Sequence, residues 1–502
     1  MSAAGSIMTN SGALSALNSI SNTSTTATAL EGELASGKSI NSPADNPAGY
    51  ITAQGFTSQI NGINQAISNA NQGVSLLQTA QGAITQQIGV VQQLNSIAVQ
   101  AANGTQTSSE SQSLQNVVGQ LTSQVTTIAN QTQFNNISLL NGSFNGVQFQ
   151  TGANEGQTMT LSIGNTAASA IGMDASTASS AGVYSKAHNK SSASAAVTLG
   201  APAVGTGAFS SANTAATELK VTGNTGGSAS FATTAGESAA SLASAVNNVS
   251  ATTGVQAQAT NSITLKLSNA VAGSGYSFKI QASKGSASAS GIGSSEQINA
   301  ASASQIVSQV NSNSSTSGII ASLDSSGNLV LTQSAGENIN ITNTTAGSLT
   351  TTGSAPTTIK TGAGTASATI QGQVQFQSSG AFTLGNAGNV GLNSNSKLYS
   401  LANINVSTTT GANQAINVVK YSLNSLNNEG GQLGAVQQGL TANINNMSTT
   451  SENLQTALGV VQDANIPQVT NQLTETQIQA QAGVSALKSS TQIQQSYLSL
   501  LP

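Results

Sequence analysis

Residues 59–91 read QINGINQAISNANQGVSLLQTAQGAITQQIGVV. Within them Ile60, Ile63, Ile67, Ala70, Val74, Leu77, Ile84, Ile88 and Val91 fall on alternating steps of three and four, and only Gln81 breaks the series. A 3-4 repeat sustained over this length specifies an α-helix whose apolar stripe lies along a partner helix. The pattern returns near the other end of the chain, at Ile416, Val419, Leu423, Leu426, Leu433, Leu440, Ile444, Met447, Leu454, Leu458 and Val461, with Gly430, Gln437 and Ser451 as weak steps. The simplest partner for each stripe is the other. The expected fold is multidomain and mainly α at its two ends, with long coiled-coil-like helices from both termini packed as a rod, and with a central β-rich, α+β insertion.

Around these stripes the boundaries are marked by local chemistry. The first long helix should span about 51–101, on the order of 75 Å at ~1.5 Å per residue, and Asn103-Gly104 is a natural C-terminal stop. Thr107 and Glu110 have capping-box spacing and open a second helix carrying Leu114, Val118, Leu121, Val125 and Ile128. The period then changes. FNNISLLNGSFNGVQFQTG (134–152) holds Asn-Gly twice between β-prone runs and predicts hairpins, and QTMTLSI (157–163) alternates as a strand. Upstream, SGKSINSPADNPAGY (36–50) is a linker in which Asp45 suits a turn or cap. Residues before it form a thin amphipathic helix with Ile7, Leu14, Leu17, Ile20, Leu30 and Leu34 on its apolar face. Pro467 interrupts the C-terminal helix. A final segment follows with Val469, Leu473, Leu487, Ile493, Tyr497 and Leu500 in register. Both termini thus end in apolar stripes on Ser-, Thr- and Gln-rich helices, surfaces that other subunits would complete.

The middle of the chain is rich in Ser, Thr, Ala and Gly and contains an internal repeat. SLASAVN (241–247), GVQAQA (254–259) and SITLKLS (262–268) match QIVSQVN (305–311), GIIASL (318–323) and NLVLTQ (328–333) at an offset of 64–66 residues. Each copy predicts helix, strand, strand, giving two small α+β units at about 220–268 and 295–345.

Composition narrows the function. Of 502 residues only 5% are charged and 3% aromatic, with no Cys, no Trp and one His, whereas ordinary domains carry roughly 25% charged residues. A net charge of −4 without a basic patch excludes a nucleic-acid footprint. A Cys–His pair and a two-His metal site are impossible, and a Ser–His–Asp triad could use only His188, which sits in a polar, low-complexity stretch. No catalytic, cofactor or metal site is expected, and no enzyme. No run is long and apolar enough for a membrane span, and no basic-then-apolar leader follows Met1, so a cleaved signal is not expected.

Specific stretches carry a family resemblance. SGKSINSPADNPAG (36–49), IAVQAANGT (97–105), NQTQFN (130–135) and FQTGANEGQT (149–158) at one end, and LGAVQ (433–437), TSENL (450–454), DAN (463–465), QIQAQAG (477–483) and LSLL (498–501) at the other, resemble bacterial flagellin. The resemblance implies an inner tube of the flagellar filament built from residues 1–35 and 466–502, with 36–50 as linker. It implies helical rod halves at 51–163 and 401–465, and a variable, surface-exposed region at 164–400. Assembly residues would be Leu14, Leu17, Ile20, Leu30, Leu34, Val469, Leu473, Leu487 and Leu500. The rod core would comprise Ile60, Ile63, Ile67, Val74, Leu77, Ile84, Ile88, Val91, Leu423, Leu426, Leu433, Leu440, Ile444 and Leu454. The partners implied are further copies of the chain, an export chaperone, a filament cap and hook-junction proteins. The location implied is extracellular, after export through the flagellar secretion apparatus. Two alternatives are a hook–filament junction protein, which shares both helical ends, and a secreted surface-layer protein or adhesin, which would not require matched heptads at both ends.

The chain also departs from the family pattern. In VQQLNSIAVQ (91–100), Gln93 and Asn95 stand where the family has arginines and Ser96 where it has glutamate, which argues against recognition by the innate flagellin receptor. Ser39 likewise stands where the linker usually has arginine. A filament held by amides and apolar seams has few carboxylates whose protonation would weaken it. Such filaments should remain intact at pH 3 as at pH 7 when followed by light scattering and electron microscopy; dissociation confined to pH 3 would contradict this.

Overall fold

A computed structural model describes residues 10–178, 195–197, 207–208, 217–224, 226–233, 238–268, 275–283, 295–346, 348–351, 358–360, 366–370, 372–387 and 392–498. Its helices are α1 (Ser11–Ser36), α2 (Pro47–Ala102), α3 (Ser108–Gln131), α4 (Ala239–Asn248), α5 (Ser250–Thr253), α6 (Ala303–Ser312), α7 (Ser314–Ser317), α8 (Thr409–Gln462) and α9 (Ile466–Leu498). The chain divides into two compact units. One comprises Met1–Gln78, Asn145–Ser162 and Leu433–Pro502, the other Thr79–Phe144 and Ile163–Gln432.

The buried face of α2 shares Ala70, Leu77, Ile84 and Val91 with the stripe read from hydrophobicity, but its alternate positions lie one residue earlier. Ala66, Ala70, Gly73, Leu77, Ala80, Ile84, Gln87, Val91, Leu94, Ala98 and Ala101 are buried, in unbroken 3-4 alternation. Ile67, Val74 and Ile88, expected in the core, are only half-buried beside this seam. Ile60, Ile63, Leu77, Ile84 and Val91 are buried. The reason is steric. Ala66, Gly73, Ala80, Gln87 and Ala101, at alternate seam positions, are small or polar, and the small ones allow close approach. A Cβ placed on Gly73 would lie 3.2 Å from Leu440 Cδ1 and 3.5 Å from the Phe149 ring. On α8, Leu426, Leu433, Leu440 and Met447 are buried, whereas Leu423, Ile444 and Leu454 are half-buried. Gln87 is fully buried and uses its Nε2 to donate to the carbonyls of Val125 (3.0 Å) and Thr166 (3.3 Å), tying α2 to α3 and to the loop beyond it.

Helix α3 begins with the capping box read from its spacing. Glu110 N donates to Thr107 Oγ1 (3.3 Å), and Thr107 N donates back to Glu110 Oε2 (2.8 Å). That backbone donation, joined by the Thr107 hydroxyl, holds the Glu110 carboxyl below the usual carboxylate range. Two hairpins follow, but the Asn-Gly steps do not turn them. Gln133–Phe134 pairs with Ile137–Ser138 through Asn135 and Asn136, both at positive φ (47° and 64°), the twist that two-residue hairpins require. Val147–Gln150 pairs with Thr158–Leu161 across the longer loop 151–157. Gly142 and Gly146 occupy positive-φ bends between the hairpins. Asparagine tolerates the left-handed region, so either kind of pair could have made the turn.

Beyond the hairpin at 133–138, the described strands of the second unit form a 12-stranded and a 5-stranded sheet. Its two α+β copies superpose in sequence at an offset of 64 (Ala239 to Ala303, Gly254 to Gly318). Ser238 caps α4 and Ser302 caps α6. Asn247 clamps Ala257, its Nδ2 donating to the carbonyl (2.9 Å) and its Oδ1 accepting from the N–H (2.8 Å). Asn311 does the same to Ala321, at 2.9 and 2.7 Å. Gly254 and Gly318 end α5 and α7 at φ 68° and 67°, a conformation available to Gly without a Cβ penalty. The copies then diverge. The expected strand–strand pair of the first copy is one strand, Val255–Ser268, whereas the second folds into a hairpin, Ile319–Leu323 with Leu329–Gln333. A turn exists only in the second copy: Asp324 Oδ1 accepts from the N–H groups of Ser326 and Asn328 (both 2.8 Å), and Gly327 has φ 77°. ATNS at 259–262 offers no such device. His188 lies outside the described residues.

One carboxylate in this unit is poorly placed for charge. Asp174, on the strand Gly172–Ala178, is buried, and burial raises its pKa; the Ser396 hydroxyl, donating at 3.1 Å, offsets this only in part. A raised carboxyl pKa means that the ionised form penalises the folded state at neutral pH, and that the penalty fades as pH falls through the folded pKa. Asp174→Asn should therefore raise the unfolding temperature at pH 7, by about 2–4 °C per kcal/mol recovered. At pH 3, where both states bind the proton, the variant should melt like the parent; calorimetry at the two pH values checks this.

Candidate assembly surface

Helices α1 and α9 form an antiparallel pair. Asn10 donates through Nδ2 to Ser490 O (3.3 Å) and Gln494 Oε1 (2.9 Å). Ile20 lies opposite Gly483, where an added Cβ would sit 2.9 Å from its Cγ1. At the far end Lys38 and Asp463 form an antiparallel bridge, with Ser39 N donating to Gln462 O (2.7 Å) and Ala464 N to Gly37 O (2.9 Å). The linker is stiffened by Asp45, whose Oδ2 accepts from Ser42 N (2.8 Å) and Asn41 N (2.9 Å); these bonds, the first most, lower its pKa. Pro467 falls within the first turn of α9, where its missing N–H costs no intrahelical bond.

This pair is thin. Its hydroxyls turn inward on its own backbone: Thr23, Thr28, Thr470 and Thr474 each donate to the carbonyl four residues before, which saturates them without any partner. The burial that exists is concentrated at Leu30 and Val469, with Ile40 in the linker. Ile20, Leu473 and Leu487 are half-buried. Leu14 is 64% exposed and Leu17 53%, and Leu34 is also exposed. Leu500 lies outside the described residues. Reading the stripe missed further bare residues: Ile478 (61% exposed) and Val484 on α9 lie off its register.

The same unit carries an open cleft of about 520 Å³ between the loop 151–158 and side chains of α2 and α8, among them Gln59, Ile63, Asn443 and Met447. Asn443 Oδ1 is buried there without a partner, an acceptor that hydropathy gave no reason to single out. Among the described residues no cluster of His, Cys, Asp or Glu could hold a metal ion, and no helix is long and apolar enough to cross a membrane.

Long helices from the two ends of one chain, a β-rich insertion between them in sequence, and bare apolar residues on the terminal pair are the features of a structural subunit. The model of the bacterial flagellin N-terminal helical region matches residues 7–145, and that of the flagellin C-terminal helical region matches residues 416–501. The chain belongs to the bacterial flagellin family and is a structural subunit of the flagellar filament, the extracellular part of the flagellum. It is 29% identical over 486 residues to the B-type flagellin of Pseudomonas aeruginosa, covering 93% of each chain. It is 36% identical over 168 residues to the phase 1 flagellin of Salmonella naestved, covering 34% of this chain and 33% of that one. Among solved structures, FliC from Burkholderia pseudomallei aligns at 18% identity over 73% of this chain and 99% of its own, with a TM-score of 0.30. The flagellar junction protein FlgL from Legionella pneumophila aligns at 11% over 83% and 99%, with a TM-score of 0.29.

The close approach at Gly483 gives a direct test of the terminal pair. Gly483→Leu should push Ile20 aside and weaken α1–α9 pairing by about 1–3 kcal/mol, the usual scale of overpacking. Faster amide hydrogen exchange along α1, with α2 and α3 unchanged, is the expected readout.

Proposed function

We propose that α1 and α9 are the polymerisation surface of this filament subunit. The observation that carries this reading is the exposure of Leu14, Leu17, Ile478 and Ile493 on a pair with little buried surface of its own. Each large apolar side chain gains roughly 1.5–3 kcal/mol on full burial, so packing against other copies offsets the ordering entropy of helices that are marginal alone. In this reading residues 1–35 and 466–502 form the inner tube, 36–50 the linker, 51–163 and 401–465 the surrounding helical layer, and 164–400 the outer surface. Subunits travel unfolded through the flagellar export channel, with a chaperone on the C-terminal segment, and join beneath a cap at the distal tip, above hook-junction proteins. Gln93, Asn95 and Ser96 leave the innate receptor without the charged patch it reads.

The test compares full-length protein with a variant lacking residues 1–34 and 466–502, each seeded with filament fragments and viewed by electron microscopy. Long filaments from full-length protein alone are the expected result. Growth of both, or of neither while both stay folded, would overturn the assignment.

A further inference from the structure

One face of the large sheet can be read from its register, because residues directly opposite in an antiparallel pair, and residues two apart in one strand, share a face. Met173 pairs with Tyr399 and Ala175 with Lys397. Ala175 also pairs with Gln377, two residues from Gln375, which in turn pairs with Gln258. These side chains stand on the side covered by α8, where Tyr421 donates to Gln256 Oε1 (3.1 Å) and Asn417 reaches Gln258 Oε1 (3.5 Å). Between this face and the start of α8 lies a cavity of about 230 Å³. That is smaller than the roughly 300–1,000 Å³ of sites for drug-sized ligands and suits one small polar unit.

The wall combines three kinds of chemistry. Met173 and Val418 give it apolar surface. Gln414, Asn417 and the Tyr399 phenol, the last with its pKa raised by burial, give it neutral polar groups. Lys397 gives it one cation, and among the described residues no carboxylate lines it. Asp174 pairs with Leu398 and so stands on the opposite face, where Ser396 donates to it. The side chains of Lys397, Tyr399 and Gln414 have no hydrogen-bond or ion-pair partner among the described residues. A side-chain amide carries donors and an acceptor on one planar group, which matches a pair of neighbouring hydroxyls, each both donor and acceptor. An unpaired ammonium selects an anion. The apolar surface suits the C–H face of a pyranose ring.

We propose that this cavity binds one acidic monosaccharide unit of the hexuronate class, with Lys397 on its carboxylate and with Tyr399, Gln414 and Asn417 on its ring hydroxyls. This is a recognition function where the sheet of the outer region meets the start of α8, added to the subunit's structural role. The test titrates full-length protein, kept monomeric, with D-glucuronate, D-glucose and acetate, followed by saturation-transfer NMR. Glucuronate should bind more tightly than glucose or acetate. Lys397→Met, at an exposed position, should weaken glucuronate about tenfold, the scale of one charge-assisted hydrogen bond, and leave glucose unchanged. Gln414→Ala should weaken both sugars, with melting temperatures of both variants held to the parent's as the folding control. Absence of a glucuronate signal, acetate binding as tightly as glucuronate, or unchanged glucuronate affinity in Lys397→Met would each overturn the proposal.

Discussion

The constraint on which the rest of this structure depends is the near absence of charge. With 5% charged residues, polar groups that elsewhere reach water through Lys, Arg, Asp and Glu must be satisfied by amides, hydroxyls and backbone. The terminal helices do this with threonines that donate to their own backbone. The helical seam does it in part with Gln87, whose Nε2 holds two backbone carbonyls from a fully buried position while its Oε1 is left without a partner. The α+β copies do it with Asn247 and Asn311, each closing both hydrogen bonds on one strand residue. A buried polar group costs little only when so paired.

A second consequence concerns the terminal pair. Hydroxyls that bond their own helix, such as those of Thr23, Thr28, Thr470 and Thr474, present little free hydrogen-bonding capacity beside the exposed leucines and isoleucines of α1 and α9. A surface of that kind is a liability in an isolated chain and an asset in a polymer, where each copy covers its neighbour. The few carboxylates that matter locally serve as caps and turns, as Glu110, Asp45 and Asp324 do, and their pKa values are lowered by those bonds.

The duplicated module separates what must be retained from what can change. The Ser cap, the Asn clamp and the terminal Gly recur at the same offset because each sets the path of the chain from helix into strand. Beyond that point one copy runs straight and the other turns, and the difference rests on Asp324 and Gly327. The straight copy carries Gln256 and Gln258 out along the face that α8 covers, and so the divergence supplies part of the amide-rich surface beside the cavity.

By itself the sequence determined the long helices and their partnership, through a 3-4 period that no strand could carry. It also determined the capping box at Thr107, the break before Pro467, the linker and the repeat, because each of these is a local device whose residues touch within a few positions. Tertiary structure decided which flank of the stripe is buried. Gly73, Ala80 and Gln87 contribute little hydrophobic signal, yet they permit the approach or the hydrogen bonds that place them inside, while Ile67, Val74 and Ile88 remain at the seam's edge. It decided the hairpin turn at Asn135-Asn136, since several Asn pairs were equally permissive. It alone brought Met173 and Gln375 beside Lys397, Tyr399 and Gln414 around one cavity: residues distant in sequence meet there through strand register, and register is set by long-range pairing that no local pattern encodes.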